Sequence, residues 1–375
     1  MHRTCRLLAA CIFALLLLSP ASGLLAQEPK DDLTVWKADL LKDVTPRKML
    51  NGYLMAHAQV QFEARREAVK GLKTPEDLRK RQEELRSKFI EALGGFPEKT
   101  PLNAKTVGTL KGEGFRVELV MYESRPNHHV TANLYLPLGR GPFPAVLVPC
   151  GHTTNGKAGY QRVCITLAQN GIAALCFDPI GQGERYQILQ PPGKPVTGST
   201  NEHTLIGVNA MLVGQCTASY RVWDGIRSID YLASRTDIDP KRIGCTGSSG
   251  GGTMTSYLMA LDDRIAAAAP SCYITSLEKL FATIGPQDGE QNIPGQVAFG
   301  MEHADYITMR APRPRQAPSS GETRSRGPGA PAPSRSRAAS GSGRRGRTQD
   351  PRSFRSWRRR ASRSTGLVRY SWAPA

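Results

Sequence analysis

Residues 242–252, Arg242-Ile243-Gly244-Cys245-Thr246-Gly247-Ser248-Ser249-Gly250-Gly251-Gly252, place a strand, a tight bend and a helix start in immediate succession. The run 242–246 reads as a buried strand, and 254–261 beyond the bend reads as a helix. Between them Gly247-Ser248-Ser249-Gly250-Gly251 matches G-x-S-x-G. A strand that turns directly into a helix forces the residue at the bend into a strained backbone. Small neighbours at 247, 250 and 251 relieve the clashes and expose the Ser249 hydroxyl. The helix N-terminus behind it offers unpaired N–H groups and positive potential to a developing oxyanion. Ser249 is therefore the candidate nucleophile and the Gly250 N–H a candidate oxyanion donor. The competing interpretation is a Gly/Ser-rich turn without chemistry. A phosphate-cradling loop is excluded, because no G-K-[ST] follows.

Working outward, 144–149 is a short buried strand (Ala-Val-Leu-Val) that runs into Cys150-Gly151-His152-Thr153. A nucleophile elbow needs its second oxyanion donor there. The backbone N–H of His152 or Thr153 is the candidate, while the His152 side chain is expected to satisfy a loop hydrogen bond rather than to catalyse. The next buried strand, 172–177, leads into Asp178-Pro179-Ile180-Gly181-Gln182-Gly183-Glu184-Arg185. This loop is expected to turn sharply and shape the pocket, with Asp178 bonding the loop. Residues 160–169, closed by Asn170-Gly171, and 216–233, with Val222, Ile226, Ile229 and Leu232 on one face, read as helices. Residues 264–270 read as a small-residue strand. Upstream, 46–93 reads as two helices, the second started by Thr74-Pro75-Glu76-Asp77. Residues 105–136 switch to period two and read as antiparallel strands. Strands alternating with helices predict an α/β fold, with a mainly parallel sheet covered on both faces.

Four stretches together carry a family resemblance: PAVLVPCGHT (144–153), FDPIGQGER (177–185), YRVWDGIRSIDYL (220–232) and RIGCTGSSGGG (242–252). Over residues 100–310 the chain resembles an α/β-hydrolase of the acetyl xylan esterase and dienelactone hydrolase type. The combination is specific for the superfamily and weak for substrate. It implies a three-layer α/β-hydrolase sandwich and ester hydrolysis with Ser, Asp and His in chain order. It also implies Ser249 as nucleophile, with N–H groups near His152, Thr153 and Gly250 as oxyanion hole. No metal or cofactor is implied. Such enzymes set the acid after a strand that should begin near 313, and the histidine after a further strand. Neither strand is legible here. The histidines are His2, His57, His128, His129, His152, His203 and His303, and Asp350 has no strand before it. The expectation is one triad member of three, C-terminal strands missing, and a poorly soluble, nearly inactive chain. His303 and Asp305 would substitute only if the fold carried them to Ser249.

The chain has 375 residues, 50 Lys+Arg against 32 Asp+Glu, a formal charge of +18 and 39% apolar residues. Global disorder is excluded, and the length allows one large or two ordinary domains. Residues 311–375 hold sixteen Arg, no Lys and two acids, hence +14, which leaves +4 for residues 1–310. Nucleic-acid binding is therefore expected of nothing but the tail. The tail is dominated by Arg, Ser, Ala, Pro and Gly and is expected to be disordered. It reads as GC-rich sequence translated out of frame; the alternative is a genuine basic tail. Phe354, Trp357, Tyr370 and Trp372 lie among its arginines and offer stacking surfaces.

Residues 1–26 read as an export signal: Arg3 and Arg6, an apolar run over 7–18, then small residues. Secretion or a periplasmic location follows, with no membrane span after cleavage. Six cysteines remain (150, 164, 176, 216, 245 and 272), without metal spacing and without a pairing that the sequence dictates. The expected organisation is a signal (1–26), a helical extension (27–99), a truncated hydrolase domain (100–310) and the tail (311–375). The expected function is a secreted serine esterase that deacetylates polysaccharide such as xylan through an acyl-Ser249 intermediate. The substrate is a small ester or an acetylated polysaccharide. Two alternatives stand beside it. One is a prolyl oligopeptidase-like peptidase, although 46–136 is too short for the usual propeller. The other is an inactive pseudo-hydrolase whose basic tail binds a polyanion.

Overall fold

In the computed structural model, residues 48–283 and 287–312 are described, together with Val35. The expected export signal and the tail beyond Pro312 lie outside these residues. The strands β1 (Lys105–Gly112), β2 (Phe115–Arg125) and β3 (His128–Pro137) form a meander, whose two turns carry Gly114 and Asn127 at positive φ. β4 (Phe143–Leu147), β5 (Ala173–Phe177), β6 (Ile238–Ser248) and β7 (Ile265–Ser271) complete one seven-stranded sheet of order β1-β2-β3-β5-β4-β6-β7. The β1/β2, β2/β3 and β3/β5 pairs are antiparallel, while β5/β4, β4/β6 and β6/β7 are parallel. The period-two meander and the continuous apolar strands thus share one mixed sheet. Its parallel half carries the site.

Successive strand residues point to opposite faces. Leu134, Leu136, Leu175 and Phe177 enter one core, whereas Tyr135, Ala174 and Cys176 enter the other. The first core is covered by α2 (Pro75–Ala92), α5 (Thr217–Ser234) and α6 (Gly250–Leu261), with Leu85, Phe89 and Leu93 packed beside Val222, Ile229 and Leu258. The second lies under α3 (Gln161–Gln169), through Cys164 and Ala168. Each fully buried large apolar side chain contributes about 1.5–3 kcal/mol. Helix α1 (Met49–Gly71) packs Ala58 and Phe62 against Leu277, the first residue of α7 (Leu277–Thr283).

Thr74 starts α2 as the sequence predicts. Its Oγ1 accepts from the Asp77 N–H at 3.1 Å, and Asp77 accepts from the Thr74 N–H at 2.9 Å. Three helices were not legible in the sequence: α4 (Ser199–Met211), α7 and α8 (His303–Arg310). The helix expected from 254 begins at Gly250, because the bend hands the chain directly to a helical turn. Among the described residues no strand follows β7, which forms one edge of the sheet. No described helix is long and apolar enough to cross a membrane.

Candidate active site

β4 is flanked by β5 on one side and β6 on the other, so the strand order reverses there. Loops leaving the C-terminal ends of parallel strands at such a switch point diverge and leave a crevice. The 150–153 loop follows β4 and the 247–252 bend follows β6, so the topology alone brings them together.

Ser249 sits at φ 57° and ψ −123°, between β6 and α6, and its side chain is exposed. A non-glycine residue in that region is strained, and two backbone hydrogen bonds hold it there. The Ser249 N–H donates to the Ser271 carbonyl at 3.0 Å, and the Ser249 carbonyl accepts from Thr253 N–H at 2.9 Å. A Cβ at Gly251 would collide with the Pro149 carbonyl, and one at Gly252 with the Ser271 carbonyl. These glycines let β4, β7 and the bend approach each other. Gly250 opens α6, where a backbone N–H has no intrahelical acceptor.

The 150–153 loop is clamped from two sides. The Tyr160 hydroxyl accepts from Gly151 N–H at 2.7 Å and donates to the Ser248 carbonyl at 3.5 Å. Gln182, fully buried, donates from Nε2 to the carbonyls of Gly151 and Thr153, both at 2.8 Å. Thr153 Oγ1 accepts from the Asn155 N–H at 3.2 Å. Asp178 accepts from Thr131 Oγ1, Lys157 N–H, Lys157 Nζ and Glu184 N–H, so it bonds the loop. Arg185 ties the same loop to α5 through Asp224 Oδ2 at 2.7 Å.

The His152 ring lies beside Ser249, with Nδ1 3.1 Å from Oγ. Its Nε2 meets Glu290 Oε1 and lies 3.4 Å from Asp288 Oδ2. Glu290 is fully buried and also contacts His203 Nδ1 at 2.9 Å and Arg221 Nη1 at 3.1 Å. Burial alone would raise its carboxyl. The Arg221 charge and the two imidazoles outweigh this and hold it well below the usual carboxylate range. Burial, seconded by Arg221, pushes His203 down. The fold sets the 150–153 loop beside Ser249 and Gly250, but it is the His152 ring, expected only to satisfy a loop hydrogen bond, that contacts Ser249; the fold also adds Glu290, His203 and Arg221, which the sequence did not indicate. No local signal marks those three: they lie on α4, α5 and a short 3-10 turn (Gly289–Gln291), far apart in the chain.

Donor atoms of His152, His203 and Glu290 lie within 4.8 Å of one another and could converge on a cation. Arg221 already sets a positive charge against the same carboxylate oxygen, which opposes that use. The six described cysteines are unpaired. Burial pushes the Cys150 and Cys176 thiols far up, so they are inert. His303 and Asp305 are engaged elsewhere: His303 stacks on Tyr273 at 4.5 Å and Asp305 binds Arg65 at 2.7 Å. A cavity of about 310 Å³ has lining residues that include Gln82, Arg86, Met259 and Arg310, and none from the 150–153 or 247–252 loops.

An open sheet clothed on both faces, with a left-handed serine bending strand into helix at its switch point, is the architecture of an α/β-hydrolase. Likeness to known proteins narrows this class. The acetyl xylan esterase (AXE1) family model matches residues 91–282, just over half of the chain, and the chain belongs to that family. The proposed hydrolase YtaP of Bacillus subtilis (strain 168) is 27% identical over 202 residues, 50% of this chain and 63% of YtaP. The chain therefore spans less than two thirds of that relative. A proposed acetyl xylan esterase from Bacteroides fragilis NCTC 9343 superposes with a TM-score of 0.56 at 20% identity, covering 65% of this chain and 68% of that one, which speaks to the fold. The methylesterase BT1017 superposes with a TM-score of 0.53 at 26% identity, covering 68% and 54%.

Proposed function

We propose that this chain hydrolyses carboxylic esters through Ser249, with acetyl groups on a polysaccharide such as xylan as the substrate class. The observation that carries it is the exposed Ser249 hydroxyl at φ 57°, held over the N-terminus of α6. Ser249 Oγ attacks the acyl carbon, and the carbonyl electrons move onto oxygen. The helix N-terminus stabilises that charge through the Gly250 N–H. Tyr160 occupies the Gly151 amide, so the second donor is the N–H of His152 or Thr153. Collapse of the tetrahedral species expels the sugar alcohol and leaves acyl-Ser249, which water then cleaves. The family supports an ester substrate, and an export signal over 1–26, as the sequence is read above, would place that substrate outside the cytoplasm. Residues 100–310 form the hydrolase domain in this proposal.

A fluorophosphonate probe tests the proposal directly. The chain is expected to label at Ser249 and to release acetate from p-nitrophenyl acetate and acetylated xylan. Ser249→Ala is expected to lose both. Labelling that persists in Ser249→Ala would remove Ser249 as nucleophile.

A further inference from the structure

We propose that His152 is the general base for Ser249 and that Glu290 is its positioning residue, so that a complete Ser249–His152–Glu290 relay lies within residues 152–290. This rests on Ser249 being the nucleophile.

The geometry is a chain of hydrogen bonds with one polarity. Arg221 Nη1 can only donate and lies 3.1 Å from Glu290 Oε1, so that carboxylate oxygen is an acceptor. The His152 Nε2 facing it must therefore carry the hydrogen, which leaves Nδ1 with a free lone pair. That lone pair lies 3.1 Å from Ser249 Oγ, within reach of its proton. Ordinary triads present Nε2 to the serine; here the ring is reversed, and either nitrogen performs the same transfer. Glu290 is in turn fixed by Arg221 Nη1 and His203 Nδ1. His203 is held by its own carbonyl, which accepts from Thr217 Oγ1 at 2.7 Å. The loop bearing His152 is held by Gln182 and Tyr160.

The steps balance. As the Oγ–acyl carbon bond forms, the Oγ proton passes to Nδ1 and the carbonyl π electrons move to oxygen. As the bond to the leaving alkoxide breaks, the Nδ1 proton passes to that oxygen. Water then gives a proton to Nδ1 while its oxygen attacks the acyl carbon, and Ser249 Oγ leaves with that proton. His152 returns to its starting form, and Glu290 stays ionised beside the transient imidazolium.

The test uses the full chain, with p-nitrophenyl acetate turnover and fluorophosphonate labelling. His152→Ala is expected to lower kcat by about 10³-fold, within the range that a positioned acid–base group supplies. Added imidazole is expected to restore part of the rate in proportion to its concentration, which a purely structural role would not allow. Glu290→Gln offers an amide donor to Nε2 and favours the wrong tautomer, so kcat is expected to fall by up to about 10⁴-fold with KM little changed. Because that variant leaves Arg221 uncompensated, Glu290→Asp is measured beside it and should recover part of kcat. Labelling in the parent and its loss in Ser249→Ala, with His152→Ala labelling as fast as the parent, would overturn the relay and leave the nucleophile standing. Activity abolished by EDTA and restored by zinc would overturn it in favour of a metal. A parent chain that neither labels nor turns over would overturn both.

Discussion

Replacing Gln182 by Glu changes one atom type at the point where the pocket loop is held. Gln182 is fully buried, and its Nε2 is the donor to two carbonyls, of Gly151 and Thr153, both at 2.8 Å. Only the amide nitrogen can face two acceptors, so the orientation of the side chain is forced. A carboxylate has nearly the same shape and no donor. It offers neither carbonyl a donor and leaves both facing a negative oxygen, at about 1–3 kcal/mol apiece. If the loop stays in place, Gln182→Glu should lose about 2–6 kcal/mol, a fall in Tm of about 5–20 °C for a domain of this size. If the loop moves instead, the proposed relay puts the cost in catalysis: a displacement of about 1 Å of His152 is then expected to lower kcat/KM by about 10²-fold. Urea denaturation and p-nitrophenyl acetate kinetics, measured together, separate the two. Gln169→Glu is the control, since Gln169 is exposed and donates to the Glu113 carbonyl. Stability within about 0.5 kcal/mol of the parent together with unchanged kcat/KM would show that Gln182 does not hold the loop.

Three other outcomes are expected. Burial alone would raise the Asp224 carboxyl, but Arg185, His128 and Ser124 outweigh it and take it from the ordinary 3.8 to about 2. Its folded value is thus below its unfolded one. The stabilisation of about 2–3 kcal/mol is complete above pH 4 and is lost as pH falls towards 2. Asp224→Asn should lack that part of the acid slope in urea melts, and equal slopes would contradict it. Phe89 is fully buried and packs edge-on to Tyr257 at 5.3 Å and against Tyr306 at 5.5 Å. Phe89→Ala should cost about 3–5 kcal/mol in guanidinium unfolding, and a loss below about 1 kcal/mol would mean that α2 is not part of the main core. Thr74→Ala removes the side-chain half of the cap on α2 and should cost about 1 kcal/mol, whereas an unchanged denaturation midpoint would mean that the cap contributes nothing.

Local pattern was enough for much of the fold. The elbow is contiguous, so Gly247 to Gly251 announces both the bend and the serine it exposes. Within the meander, β2 and the first half of β3 show period two because one face of each is buried and the other is only partly covered. The capping box at Thr74 is complete within four residues. Helix α4 is the opposite case. Leu205, Val208 and Met211 are exposed on it, whereas Glu202 and His203 are fully buried. A hydrophobic-stripe argument fails on such a helix, because its inward face serves a charge network rather than the core.

The sequence alone determined the class of fold and the nucleophile candidate, since strand, bend and helix start are neighbours along the chain and obey short-range sterics. The partner of that serine was decided by tertiary structure. His152 was legible only as a loop residue, and Glu290, Arg221 and His203 as unconnected charges, because strand order at the switch point, and not spacing in the chain, sets which side chains meet. Burying Glu290 among Arg221 and two imidazoles is a cost that the assembled sheet and helices alone can offset.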